Sequence, residues 1–473
     1  MNIKYATLVF TFFIYNVSKA QLQKYTLQQC IEYAWNNNLD IKQSFLNNES
    51  SVLDVKQSKA NLLPTLSASA GQNYQFGRTV DRFTNAFVNQ TIRSNNFGLN
   101  AGLSLFNGFQ NQNNIVQKKQ TQKVSQYTID VTKNQIALSI ANSFLQCIQA
   151  IETINFNNIQ IQNTTQRIER AQKMVDAGVS DLTILLSLKA QLANEKLNLI
   201  NSESAKNASI LSLKNLMQLP IENHLEIIVP LISDEVLKFT KADVFEIYEI
   251  ALKNLPQIKA AETQILAAKA QTKMANGNLF PSIALYGSVS TVFSQSAKEV
   301  VNTSLIGTSP IGYTQTSNEV VLKPIYDLEL KTIKFGKQLE SNLGQGAGIN
   351  LSWNLFNGFA TQNQIQKAKI NQTITDLNFT KTKNTLLSDI NIAVNTFNAA
   401  KVKFDASENN VEAQTTSLEY IQKRFDAGVS NSFDFINAKN NYSQAKSSAL
   451  QAKYELIFRA LILEYYKGNI IQL

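Results

Sequence analysis

The chain has 473 residues, a formal net charge of +9, two cysteines and one histidine, and only 17% of its residues are charged. Its lysines and arginines are scattered, with no basic block interleaved with aromatics, which argues against a nucleic-acid partner. The lone His224 has no ligand-spaced partner and no nucleophile motif occurs, so no metal, no cofactor and no enzyme activity is expected.

Residues 1–20 read as a secretory signal. Lys4 supplies the positive start, Tyr5 to Tyr15 the apolar stretch and Ser18-Lys19-Ala20 a small-x-small cleavage site. No cysteine follows the cut, which disfavours a lipid anchor. No later stretch reaches about 18 consecutive apolar residues, so any membrane insertion is expected from strands. A first repeat is expected over 21–219, opening with a helix from Leu27 to Ala60. Cys30 and, further on, Cys147 lie inside helical patterns, as small apolar positions or as a disulfide pair.

A β-hairpin is expected over 64–106. Phe97, Leu99, Ala101, Leu103 and Leu105 alternate with Gly98, Asn100, Gly102 and Ser104, behind a weaker partner from Thr65 to Phe76. One face is apolar and the other small and polar, the pattern of a barrel strand between lipid and lumen. A half-buried soluble sheet alternates in the same way. The signal segment and the missing edge protection favour the membrane.

Residues 109–177 contain neither glycine nor proline, the two strongest helix breakers. One helix of that length would reach roughly 100 Å. Its expected packing stripe alternates steps of three and four from Ala137 through Ile140, Phe144, Cys147, Ile151, Ile154, Asn158, Ile161, Thr165, Ile168 and Gln172 to Val175. Polar entries are expected to loosen it toward the tip. The run ends at Asp176-Ala177-Gly178-Val179-Ser180, where Gly178 suits a left-handed C′ position and Ser180 an N-cap. A second arm then runs toward Pro220, so 109–219 reads as a long helical hairpin.

Residues 220–240 read as a linker with a short strand around Leu225 to Val229. A second repeat follows over 241–473: a helix from Ala242 to Ala275, a β-hairpin over 281–356 and a helical hairpin over 359–467. Leu105-Phe106-Asn107-Gly108-Phe109 recurs as Leu355-Phe356-Asn357-Gly358-Phe359, and the Gly178 turn as Asp426-Ala427-Gly428-Val429-Ser430, both 250 positions on. Asn61-Leu62-Leu63-Pro64 matches Asn278-Leu279-Phe280-Pro281 at an offset of only 217, so the second copy carries an enlarged loop over 294–345. Its glycines at 344–348 enter a strand with Ala347, Ile349, Leu351, Trp353 and Leu355 on one face, which sets aside a phosphate loop. Such recurrence marks internal duplication.

Four strands per chain cannot close a barrel, and lipid tolerates no open sheet edge. Two chains would give eight strands with a filled interior, three would give twelve with room for a pore.

The Leu-Phe-Asn-Gly-Phe blocks, the Asp-Ala-Gly-Val-Ser turns and the duplicated helix–strand–strand–helix plan resemble the TolC-like outer membrane efflux proteins. The resemblance implies an α+β membrane protein: a homotrimer forming a 12-stranded transmembrane β-barrel in outer-membrane lipid, continued by a long periplasmic α-helical barrel. It implies an exit duct for efflux or type I secretion, opened passively when a periplasmic adaptor (membrane fusion) protein and an inner-membrane pump dock. It places adaptor-docking tips at Ala177, Gly178, Val179, Ser180, Ala427, Gly428, Val429 and Ser430. The family's gate positions fall on Asp434, Asn437, Thr183 and Phe425. Asn437 replaces a second aspartate, Phe425 a tyrosine and Ser430 an arginine, so the polar latch of the family is reduced here. The alternative is a periplasmic adaptor or coiled-coil tether without a channel; two helical hairpins plus membrane-grade strands speak against it.

Overall fold

The computed structural model describes residues 23–80, 86–89, 91–230 and 243–469; the signal segment 1–20 and residues 231–240 of the linker lie outside the described residues. In chain order the helices are α1 (Leu27–Asn37), α2 (Leu39–Ala60), α3 (Gln110–Asp176), α4 (Leu182–Met217), α5 (Val244–Asn254), α6 (Pro256–Gly277), α7 (Phe335–Ser341), α8 (Ala360–Asp426) and α9 (Ser432–Tyr466). The strands are β1 (Gln23–Tyr25), β2 (Thr65–Gln75), β3 (Arg78–Val80), β4 (Phe87–Asn89), β5 (Ile92–Asn107), β6 (Leu225–Ile227), β7 (Ser282–Ser294), β8 (Lys298–Tyr313), β9 (Val320–Thr332) and β10 (Gly344–Ser352). Two compact units result: one comprises Met1–Val52, Gln120–Leu266 and Thr373–Leu473, the other Leu53–Lys119 and Ala267–Gln372.

The two breaker-free runs form single helices, α3 and α8, whose bounds lie 250 positions apart. Each of the two shorter predicted helices is instead split. Asn38 is extended, with φ −60° and ψ 133°. Its Oδ1 accepts the N–H groups of Asp40 (2.9 Å) and Ile41 (3.3 Å), and its Nδ2 donates to the Leu216 carbonyl at 2.8 Å. One side chain thus starts α2 and satisfies the end of α4, and that pairing favours a break over a continuous helix. Leu255 breaks the other helix because it precedes Pro256, which pushes it out of the helical region. The resulting pairs, α1 with α5 and α2 with α6, are offset by 217 positions at both ends.

In the first unit, β1 pairs in parallel with β6. The unit holds two large apolar clusters, the first of which includes Tyr25 and Leu225 of these strands. Ile31, Ile41, Ile140, Phe144, Ile148, Leu213 and Met217 fill one; Ile247, Leu255, Ile390, Phe397 and Leu456 fill the other. Both cysteines are buried free thiols, so the disulfide option is set aside. The Cys147 thiol faces the Ser209 hydroxyl at 3.2 Å. Burial pushes the Cys30 thiol up from 9.0 to about 12, and the Tyr466 hydroxyl from 10.0 to about 12. These groups stay protonated in the fold while the unfolded chain ionises, so stability falls as pH rises from about 9 toward 12. Ellman's reagent at pH 8 is expected to find neither thiol until denaturant is added; prompt reaction of both would mean that the core around Cys30 opens readily.

The stripe predicted on α3 holds from Ala137 to Cys147, all buried, and then departs from the prediction: Thr165 is exposed. The tight row lies one residue earlier, at Ile136, Ser143, Ala150, Thr164 and Ala171, seven or fourteen residues apart and all buried. It faces α4 through hydroxyls and amides. Ser143 Oγ meets Ser212 Oγ at 3.2 Å, and Asn157 Nδ2 donates to Ser202 Oγ at 2.9 Å. Small residues let two helices approach closely, and at Thr164 and Ala171 this row is buried where Thr165 and Gln172 of the predicted stripe are not.

In the second unit a four-stranded antiparallel sheet has the order β10-β7-β5-β2. Register sets Leu66 opposite Ala101, Ala101 opposite Gly287 and Gly287 opposite Ala347; the next rows join Leu99 to Val289, and Leu103 and Ile349 to Leu285. The other face carries Ser67, Asn100, Ser288 and Gly346 in one row, and Thr65, Gly102, Tyr286 and Gly348 in the next. The predicted alternation is corrected at two ends. Leu105 falls in a β-bulge between Ser104 and Phe106. Trp353 and Leu355 lie past the end of β10 at Ser352, where Trp353 Nε1 donates to the Leu279 carbonyl at 3.1 Å. The side chains of the apolar rows are open to solvent: Leu66 is 70%, Ile349 69% and Leu351 64% exposed.

The helix starts that follow the strands use left-handed pairs. Gly108 and Phe109 have φ of 65° and 62°, Gly358 and Phe359 of 61° and 64°. A left-handed phenylalanine costs about 1–2 kcal/mol. Each one packs edge-on against the phenylalanine three residues before it, Phe106 at 5.2 Å and Phe356 at 5.5 Å. The enlarged loop is itself structured: β8 and β9 form a separate two-stranded ribbon, followed by α7.

Candidate functional site

The two hairpin tips are near copies. Gly178, at φ 71°, donates its N–H to the Val175 carbonyl at 2.9 Å, while Val179 donates to Met174 at 2.9 Å. Gly428, at φ 72°, and Val429 repeat both bonds to Phe425 and Arg424 at 3.0 and 2.9 Å. This is the Schellman arrangement predicted from the glycines. The predicted serine caps are wrong by one residue. Asp181 caps α4 by accepting the Thr183 N–H at 2.8 Å, and Asn431 caps α9 by accepting the Asp434 N–H at 2.8 Å. The Schellman turn uses Val179 and Val429 as C″ residues and leaves one more residue before the next helix, so the Asx side chains take the cap. The Thr183 N–H and hydroxyl hold the Asp181 carboxyl below its ordinary range. Ala177, Gly178, Ala427 and Gly428 are exposed, Ser180 and Ser430 half-buried. Val179, Val429 and Phe433 are 69, 66 and 70% exposed, so apolar side chains crown both tips.

Of the gate positions, Asp434 is exposed and its carboxylate accepts the Ser430 hydroxyl at 3.3 Å. Phe425 is half-buried and stacks on Phe435 at 5.0 Å. Thr183 and Asn437 are exposed, and among the described residues no hydrogen bond joins them to Asp434. Just inside the tips, Ala171, Leu185, Leu188 and Phe435 form a buried apolar cluster, a tighter seam than the sequence predicted there.

Beyond that cluster lies a polar group that the sequence reading missed. Lys439 Nζ of α9 stands 2.7 Å from Glu195 Oε1 of α4, with both side chains almost fully buried, at 4 and 7% exposure. Thr164 Oγ1 of α3 donates to Glu195 Oε2 at 2.6 Å, and Gln191 Nε2 to Glu195 Oε1 at 2.9 Å. Gln191 also donates to Asn440 Oδ1 at 3.0 Å, and Lys439 donates to the Gln160 carbonyl at 3.4 Å and to Thr164 Oγ1. The pair therefore ties the second hairpin to both arms of the first. Desolvation pulls the Lys439 ammonium below its usual range, and Glu195 opposes that pull. The flanking cleft, about 940 Å³, is lined by Arg167, Arg170, Glu419 and Asp426 among others. Arg167 sits over the Phe435 ring at 4.5 Å and 3.8 Å from Asp426.

The signal for this cluster was weak. Gln160 with Thr164, and Gln191 with Glu195, are i,i+4 pairs that read as solvated faces. The positions 250 residues away offer no guide: Ala445, buried, stands 250 after Glu195, and Lys189, exposed, stands 250 before Lys439. Among the described residues there is no group of three His, Cys, Asp or Glu side chains placed for a metal, and no helix long and apolar enough to cross a membrane.

Two helical hairpins with twinned tips, and a strand sheet with one bare apolar face, have known counterparts. Toxin and drug export protein A of Aggregatibacter actinomycetemcomitans is 22% identical over 432 residues, 91% of this chain and 83% of that protein. Outer membrane protein TolC of Escherichia coli (strain K12) is 19% identical over 451 residues, 95% of this chain and 83% of TolC. The fold matches the solved structures of CusC (TM-score 0.74, 15% identity, 94% of this chain and 92% of CusC) and of VceC from Vibrio cholerae (0.71, 15%, 94% and 96%). The sequence profile described as outer membrane efflux protein matches residues 30–217 and 335–464. That match spans more than half of the chain, sets aside an adaptor or tether, and makes this outer-membrane protein a member of the outer membrane efflux protein family.

Proposed function

We propose that the chain is one third of a passive exit duct of a tripartite efflux or type I secretion system. One observation carries the reading. The four-stranded sheet separates an apolar face from a small polar one, yet β2 and β10 end it as open edges with no charge or proline to blunt them. Lipid tolerates no such edge, so copies of the chain must supply the missing partners. Three copies give twelve strands and room for a lumen. The recurrence at 217 and 250 positions supports an internally duplicated chain, in which β2 of one copy meets β10 of the next in the manner of β5 beside β7. The helical hairpins then form the periplasmic barrel. The exposed Val179, Val429 and Phe433 suit docking of an adaptor's apolar hairpin, which in turn couples an inner-membrane pump. Asp434 contributes one ring of three carboxylates, and the duct itself performs no catalysis and binds no cofactor.

The native mass of the detergent-extracted protein and its single-channel conductance test this reading. A mass of three chains with a conducting pore is expected. A monomer that remains soluble without detergent would end it.

A further inference from the structure

The ribbon of β8 and β9 has two unlike faces. Register places Val300 opposite Leu330, Leu305 opposite Tyr326, Pro310 opposite Leu322 and Tyr313 opposite Val320, all on one side. Glu299 opposite Lys331, Asn302 opposite Glu329, Ser304 opposite Asp327 and Ser309 opposite Lys323 lie on the other. Beyond Lys298, which pairs with Thr332 at its base, the apolar side bears no charge, and its side chains are bare: Leu305 is 62%, Tyr313 68%, Leu322 53% and Leu328 50% exposed. An isolated two-stranded ribbon is marginal in water, and an uncovered apolar face of this extent marks an interaction surface.

The base of the ribbon is built to hold a fixed direction. Gln338 of α7 is 1% exposed; its Oε1 accepts the Ser294 N–H at 2.9 Å and its Nε2 donates to the carbonyls of Ser294 (3.0 Å) and Ile333 (2.8 Å). Phe335 packs on Phe293 at 5.0 Å and on Phe97 at 6.3 Å, and Lys337 pairs with Glu299 at 2.5 Å. The ribbon is thereby fastened to the end of β7.

Its edges are closed to strand addition. Three bulges interrupt β8, at Val300/Asn302, Leu305/Gly307 and Pro310/Gly312, and Pro310 and Pro324 each remove a donor. What remains available is the face. β7 already has 13 residues, more than the 9–11 that span a bilayer, so a ribbon that begins four positions after its end stands beyond the hydrocarbon layer. Above Lys298 the surface carries no charge, so that stretch meets its own copy with no like-charge repulsion, and copies held by one barrel face each other at high effective concentration.

We infer that the occupant of this face is a second copy of this chain: the ribbons of the three copies turn their apolar faces toward the common axis, meet there above the pore mouth and narrow it from outside the membrane. The inference rests on the trimeric reading.

Single-cysteine variants test it in outer membranes, because the native thiols are buried. With copper-phenanthroline as oxidant, Leu322→Cys is expected to shift most of the monomer band into a disulfide dimer, while Lys323→Cys on the polar face is not. Excision of residues 298–332, whose ends already meet through the Ile333 N–H and the Ala297 carbonyl at 3.0 Å, is expected to keep the three-chain mass and raise single-channel conductance. Equal cross-linking of both variants, or none with the three-chain mass intact, would overturn the inference and leave the trimer standing. In the latter case, protection of Leu322→Cys from a water-soluble maleimide would assign the face to lipid. A cross-link to a species of another mass would assign it to a different protein. A monomeric mass would remove the trimer instead.

Discussion

Replacing Lys439 by methionine is expected to destabilise the folded chain by about 3–5 kcal/mol, the usual consequence of removing one partner from a buried ion pair. Glu195 would keep the Thr164 hydroxyl and the Gln191 amide, at 2.6 and 2.9 Å, but would lose its countercharge in a site that is almost sealed from water. The double variant Lys439→Met with Glu195→Leu should recover much of that loss, since it leaves no uncompensated charge. Thermal melting of the detergent-purified proteins, followed by helical circular dichroism, gives the comparison. A single variant that melts with the wild type would mean that water reaches the pair and that its burial is not maintained in solution.

The second large effect is expected at Gly108. Its φ of 65° is unfavourable to any other residue, and an added Cβ would lie 2.1 Å from the carbonyl oxygen of Gly277, the last residue of α6. The dihedral strain of about 1–2 kcal/mol and the overlap of about 1–3 kcal/mol both act against Gly108→Ala. Gly358 supplies the control. It has the same conformation, with φ 61°, and a Cβ added there would meet nothing within 4 Å. Gly358→Ala should therefore cost only the dihedral strain. In the trimeric reading the counterpart of Gly277 is Ala60 of a neighbouring copy, and its Cβ prevents an equally close approach. Urea unfolding of both variants side by side decides the matter: equal losses would mean that a neighbouring chain closes on Gly358 as tightly as Gly277 closes on Gly108.

Features governed by a single residue's backbone preference were legible in the sequence. The four glycines at 108, 178, 358 and 428 all take positive φ, and the runs between them are uninterrupted helices. The two-sided strand pattern was legible for the same reason, because alternation is a local property of the chain. What depends on partners distant in sequence was not. Asn38 breaks a helix because the Leu216 carbonyl, 178 positions away, is there to receive its amide. Ser143, Thr164 and Glu195 are polar residues whose burial comes only from the packing of α3, α4 and α9 against one another. Pro256 did announce the split at Leu255, and the reading over 242–275 passed over it. The ribbon's amphipathic character is invisible in β8 alone, where three bulges scramble the alternation, and emerges only in register with β9.

The buried Lys439–Glu195 pair has no twin at the positions 250 residues away, where Lys189 and Ala445 stand instead. In the proposed trimer the two seams flanking each second hairpin are thus unequal: one is riveted by a buried charge pair and the other lacks it. If three copies close into a ring as proposed, widening at the tips is expected to begin at the unriveted flank, so that dilation would proceed as the swing of a few stiff panels rather than as even stretching around a circumference.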